Sequence, residues 1–157
     1  MNLIFRMLSL LVASFFKPQL PIEKPKNSIT LRVLPNDIDI NLHMNNGRYL
    51  TICDLTRVDM FLRTGLAKTM INEKWIPVIS EHTMKYKKPL NLFQKYEIKM
   101  EVTGWDEKSF HMLHQFIVEG RTVAEGTSLG VVLSKTGVIT PIEVMKKVHL
   151  RLHNSLT

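Results

Sequence analysis

Hydrophobic and polar positions divide the chain into an apolar head, a proline-rich spacer and a longer run of alternating patterns. Ile29, Leu31 and Val33 alternate with Thr30, Arg32 and Leu34, which predicts a short strand ended by Pro35-Asn36. A polar stretch over 36–41 leads into Leu42-His43-Met44-Asn45-Asn46-Gly47, and a helical run follows from about Arg48 to Arg63, closed by Thr64-Gly65. Leu50, Ile52, Cys53, Leu55, Val58, Met60, Phe61 and Leu62 leave that helix little polar relief, so it is expected to be enclosed on most sides. The rest reads as strand. Segments 75–89, 96–105, 110–118 and 123–133 carry apolar runs or alternation, with a hairpin signal at Glu119-Gly120-Arg121. Thr140-Pro141-Ile142-Glu143 has the form of a capped helix start. One strand, one enclosed helix and an antiparallel meander make an α+β domain, a sheet of about five strands wrapped round a long central helix.

The head is different. Residues 1–16 are apolar except for a narrow stripe through Asn2, Arg6, Ser9 and Ala13, and Lys17-Pro18 ends the run before a linker rich in proline. This divides the chain into 1–27, helix and linker, and 28–157, the folded domain with its short C-terminal helix. The head is shorter than the roughly 17–25 apolar residues of a membrane span. Three readings fit it: a helix packed on its own domain or on an oligomer partner, an interfacial membrane helix, or a cleaved signal peptide. A cytoplasmic location follows from the first and association with a membrane from the second.

Composition narrows the chemistry. The 157 residues include one cysteine, which excludes an internal disulfide and any cysteine-rich zinc module. The formal charge of +7 admits nucleic acid, anionic membrane or a phosphate-bearing small molecule as partner. No arginine-rich stripe interleaved with aromatics supports nucleic acid. His111 and His114 fall on opposite faces of one strand, so they do not jointly ligate a metal, and no metal site is expected.

Asp37, Asp39 and His43 lie on the loop that enters the central helix, where Asn45 or Asn46 is a natural cap. The first turn of a helix has amides without internal partners and the positive end of the macrodipole, so it can receive a developing oxyanion. Gly47 lets a ligand approach the backbone. A carboxylate just upstream could activate water or attack directly, which permits acyl transfer or hydrolysis. Turn formation and helix capping explain the same aspartates without chemistry.

The run Asp37-Ile-Asp39-Ile-Asn-Leu-His43-Met-Asn45-Asn46-Gly-Arg-Tyr49-Leu50, with Asp54 and Arg57 beyond it, resembles the signature of hotdog-fold acyl-CoA thioesterases of the 4-hydroxybenzoyl-CoA thioesterase type. The likeness runs from about Ser28 to Leu133. Segments 41–49 and 104–108 are similar to the branch related to thioesterase superfamily member six. Leu42 stands where much of the family has Gly, and Met44 where it often has Val. The resemblance implies Asp39 as base or nucleophile and the Asn46 amide as oxyanion donor. It implies His43, Asn45, Gly47 and Tyr49 as substrate-binding or loop-ordering residues, and Lys85, Lys87 and Lys88 as contacts for the CoA phosphates. It further implies an acyl-CoA substrate, no cofactor, and a homodimer or tetramer. A non-catalytic acyl-binding module on the same fold is the alternative.

Overall fold

The computed structural model describes residues 2–154. Four helices, α1 (Asn2–Phe15), α2 (Asn46–Arg63), α3 (Leu66–Glu73) and α4 (Pro141–Asn154), accompany seven strands. The strands are β1 (Lys26–Arg32), β2 (Ile76–His82), β3 (Lys85–Tyr86), β4 (Lys95–Trp105), β5 (Ser109–Val118), β6 (Arg121–Ser134) and β7 (Gly137–Ile139). Five of them form the antiparallel path β1-β4-β5-β6-β2, and β3 and β7 also pair with β6. The first strand starts two residues before Ser28. Two short elements, α3 and β7, had no counterpart in the hydrophobic pattern.

Alternation along the sheet places Ile29, Ile98 and Phe116 on the face that receives α2, where Tyr49, Ile52 and Leu55 complete the core. The enclosure of α2 is nearly complete: even Thr56, Arg57 and Asp59 are buried, while Leu50 and Asp54, one turn apart, are exposed. A second cluster joins Val132 of β6 to Leu66 and Met70 of α3 and Val144 and Val148 of α4. Thr140 and Glu143 cap α4 reciprocally: the Glu143 amide donates to Thr140 Oγ1 (3.3 Å) and the Thr140 amide to Glu143 Oε2 (3.1 Å).

Between β2 and β3 the chain is pressed onto β6. A Cβ added at Gly126 would lie 2.1 Å from the Thr83 carbonyl oxygen, so only glycine permits this approach. β3 continues β2 along β6 in unbroken register, from His82 opposite Ser128 to Lys85 opposite Glu125, and Tyr86, Lys87, Lys88 and Pro89 then share a cleft with the N-terminus of α2.

Helix α1 lies on the core through Leu3, Met7 and the buried Leu10 and Ser14. Asp59, fully buried on α2, accepts hydrogen bonds from Ser14 Oγ (2.7 Å), Lys17 Nζ (2.9 Å), Asn27 Nδ2 (2.8 Å) and Arg63 Nη1 (3.1 Å). One carboxylate therefore ties α1, the linker and β1 to α2. The opposite face of α1 is uncovered, with Ile4, Phe5, Leu8, Val12 and Phe15 each more than half exposed. No helix among the described residues is long and apolar enough to cross a membrane.

Candidate functional site

The two aspartates of the loop have separate fates. Asp37 closes a short 3-10 turn and is 1% exposed. Its Oδ2 accepts from Arg6 Nη2 at 2.6 Å and from the Leu34 amide at 2.9 Å, and Arg48 Nε stands 3.6 Å from its Oδ1. It anchors α1 to the loop and has no open side from which to meet a substrate.

Asp39 is half-buried and faces a cleft. Its amide donates to the His43 carbonyl (2.9 Å), and its carbonyl accepts from Leu42 (3.1 Å). Its Oδ1 accepts from the Asn41 amide at 2.8 Å, an Asx turn. This tight closure puts Leu42 at φ 61°. The family's usual glycine position is thus left-handed here, and a branched side chain occupies it at a cost of about 1–2 kcal/mol. The Leu42 side chain itself is largely exposed beside the loop.

Asn45, not Asn46, caps α2. Its Oδ1 accepts from the Gly47 amide (2.8 Å) and its carbonyl from the Arg48 amide (2.9 Å). Among the described residues the Asn46 amide makes no hydrogen bond. It is the first amide of the helix, at the positive end of the dipole. The carbonyl of Asn46 accepts from Tyr86 Oη at 3.1 Å, which ties the first turn of α2 to β3.

A cleft of about 400 Å³ is lined by Asp39, Asn41, His43, Met44, Asn46, Tyr49, Tyr86, Lys87, Lys88 and Pro89. Six residues expected from the sequence meet in it: Asp39, His43, Asn46, Tyr49, Lys87 and Lys88. Three do not line it. Asn45 and Gly47 close the helix cap, and Lys85 sits opposite Glu125 in the β3·β6 ladder. Tyr49 forms the floor. Its ring packs edge-on against Tyr86 (5.0 Å) and Phe116 (4.8 Å), and burial pushes its phenol up to about 12, so it remains a neutral O–H. His43 is half-buried and bridges to Asn91, which holds the outer wall. Tyr86 and Asn41 were not among the expected site residues. The alternation of Met84 and Tyr86 with lysines places Tyr86 on a strand face, but its partner, the Asn46 carbonyl on α2, lies 40 residues away in sequence.

Another hollow of about 460 Å³, lined by Lys17, Lys26, Arg63 and Lys99 among others, has no helix N-terminus in it. The Asp39 cleft combines an aspartate, the residue with the unpartnered first amide of α2, and two lysines. Such a site favours a ligand that carries negative charge and develops more during reaction.

The model of the Thioesterase-like superfamily matches residues 33–148. Protein THEM6 of Danio rerio is 34% identical over 108 residues, which is 69% of this chain and 52% of that protein. The chain spans about half the length of the curated relatives it matches. Among solved structures, BH1999 gentisyl-coenzyme A thioesterase superposes with a TM-score of 0.65 at 24% identity, covering 76% of this chain and 98% of that one. SAV2348 from Staphylococcus aureus, solved in complex with CoA, gives 0.68 at 16% identity over 82% and 84% of the two chains.

Proposed function

Because the chain belongs to the thioesterase-like superfamily, we propose that it hydrolyses acyl-CoA thioesters to the free acid and CoA in the cleft between Asp39 and the start of α2. The observation that carries this reading is that Asn46, whose amide has no partner among the described residues, lines the same cleft as Asp39. Attack on the thioester carbonyl turns its oxygen into an oxyanion, which the amide and the helix dipole receive. Asp39 takes the proton of the attacking water, or itself forms an acyl adduct that water then opens. The C–S bond breaks and CoA leaves as the thiolate, to be protonated from solvent. His43 and Tyr49 shape the approach to the carbonyl. The chemistry calls for no metal or redox cofactor. Turnover of a panel of acyl-CoAs, read as released thiol, is its test.

Lys87 and Lys88, exposed beside the cleft, suit the phosphates of CoA, and the CoA bound to a structural neighbour supports a CoA thioester as the substrate. Substitution of both by alanine is expected to raise KM about tenfold and leave kcat within about twofold, with a weaker dependence of KM on salt than in the wild type. An unchanged KM would remove the lysines from the site.

A second reading, an acyl-CoA-binding module without turnover, draws on the Asx turn: part of the Asp39 carboxylate is already engaged by the Asn41 amide. In that reading acyl-CoA binds but no thiol is released.

The working unit in this account is a homodimer. The free edge of β2 carries exposed Ile76 and Val78, and the cleft is open on one side. Light scattering on the eluting chain should give twice the 18.2 kDa chain mass; a monomer at micromolar concentration would contradict it. The uncovered apolar face of α1, on a chain of net charge +7, is assigned to the surface of an anionic bilayer. Phe5→Ser with Phe15→Ser is expected to abolish co-sedimentation with vesicles containing anionic lipid, and equal pelleting of both proteins would refute the assignment.

A further inference from the structure

One turn beyond Tyr49 on α2, three groups with no part in the cleft converge from distant segments. Cys53 is fully buried on α2, His114 is fully buried on β5, and His82 is half-buried at the end of β2. One potential ligand atom from each lies within 4.8 Å of the other two. The imidazole rings are 5.5 Å apart and tilted by 40°. Each ring is held from its far side: His114 Nε2 lies 2.8 Å from Ser128 Oγ, and His82 Nδ1 lies 3.3 Å from Arg57 Nη2. The remaining nitrogens, His82 Nε2 and His114 Nδ1, are buried and have no hydrogen-bond partner among the described residues. Buried polar atoms without partners are uncommon in native proteins, and each calls for an explanation.

We propose that Cys53, His82 and His114 bind a divalent transition-metal cation of the zinc class through the sulfur and one imidazole nitrogen each. One thiolate with two imidazoles is a donor set that suits this class, and Ser128 Oγ, which can accept from the far nitrogen of His114, is the usual kind of outer support. Donors round a tetrahedral zinc ion stand about 3.5 Å apart, so the cluster closes by about 1 Å on binding. Burial pushes the Cys53 thiol up to about 12, so the metal-free side chain is protonated. On binding, the S–H bond is exchanged for a sulfur–metal bond and the proton leaves to solvent. Arg57 can only donate, so it holds the proton of His82 on Nε2 in the metal-free chain. Ligation through Nε2 moves that proton to Nδ1 and turns the guanidinium wholly to Asp54, its ion-pair partner. The cation would tie α2 to both β2 and β5. The proposal is independent of thioester hydrolysis, which uses none of the three residues.

Cobalt(II) titration of the full chain, freed of metal by a chelator, tests it. The chain has one cysteine, so a thiolate-to-cobalt charge-transfer band reports Cys53 alone. The expected result is a band that saturates at one cobalt per chain and bleaches when zinc is added. Zinc at a hundredfold excess over its Kd should also raise Tm by roughly 5–10 °C. His82→Gln and His114→Gln are each expected to weaken binding at least tenfold, while His111→Gln, on the opposite face of β5, leaves it unchanged. If His114→Gln does not fold by circular dichroism, His82→Gln, at the less buried position, decides. No charge-transfer band in the wild type, or a band of undiminished affinity in the folded His82 variant, overturns the site.

Discussion

Asp39→Asn is expected to lower kcat for acyl-CoA hydrolysis by about 10²–10⁴-fold, the usual range for removal of a positioned acid–base group, with KM changed little. The substitution is close to isosteric, and the amide oxygen can still accept from Asn41, so the Asx turn and the left-handed Leu42 are kept. Tm should therefore stay within about 2 °C of the wild type. Steady-state kinetics beside a thermal melt reads both. Loss of activity together with a large fall in Tm would make Asp39 a structural residue, and retention of activity would remove it from the chemistry.

Asp59→Ala is expected to have the largest effect on stability. It leaves Arg63 without its buried carboxylate, takes one of two acceptors from Ser14 and from Asn27 and frees Lys17, a change of the kind that costs about 3–5 kcal/mol and lowers Tm by roughly 10 °C or more. The pH dependence follows from the same contacts. Burial alone would raise the Asp59 carboxyl, but hydrogen bonds from Asn27, Lys17, Ser14 and Arg63 outweigh it and hold the group below its ordinary value of 3.8. A depressed native pKa contributes stability above the ordinary value, and that contribution is lost as pH falls through the native one. Urea titrations from pH 6 down to pH 2 should show this acid limb reduced in Asp59→Ala. Identical limbs, or a loss below 1 kcal/mol at pH 7, would contradict the account.

These two aspartates also mark what the sequence could convey. The long strands and α2 were visible because each buries a face along many residues, and periodicity sums that signal. The short α3 spans two turns, with Leu66 and Met70 as its inward pair, and β7 has three residues; neither is long enough to show a period. Within α2, Asp59 reads as solvent-facing relief, since its partners Ser14, Lys17 and Asn27 come from 32 to 45 residues upstream. Asp37 and Asp39 are equivalent by spacing. They part only because Arg6, 31 residues before Asp37, buries one of them. The helix N-terminus and its cap were local; which amide the cap leaves free depended on Asn45 taking Gly47 and Arg48. Cys53, His82 and His114 had no joint signal: Cys53 reads as a small core residue, and His82 stands 29 residues from it and 32 from His114. Their spacings fit no ligand motif, and His111 and His114, though close in sequence, are set apart by the strand.

The central claim is that this cleft turns over acyl-CoA rather than merely binding it. Its most direct measurement is thiol release from a panel of acyl-CoAs by the purified chain, followed past one equivalent per chain, with Asp39→Asn in parallel. The account predicts multiple turnovers by the wild type on at least one member of the panel and release near background by the variant. Saturable binding of acyl-CoA with no thiol released, or equal release by the two proteins, would contradict it.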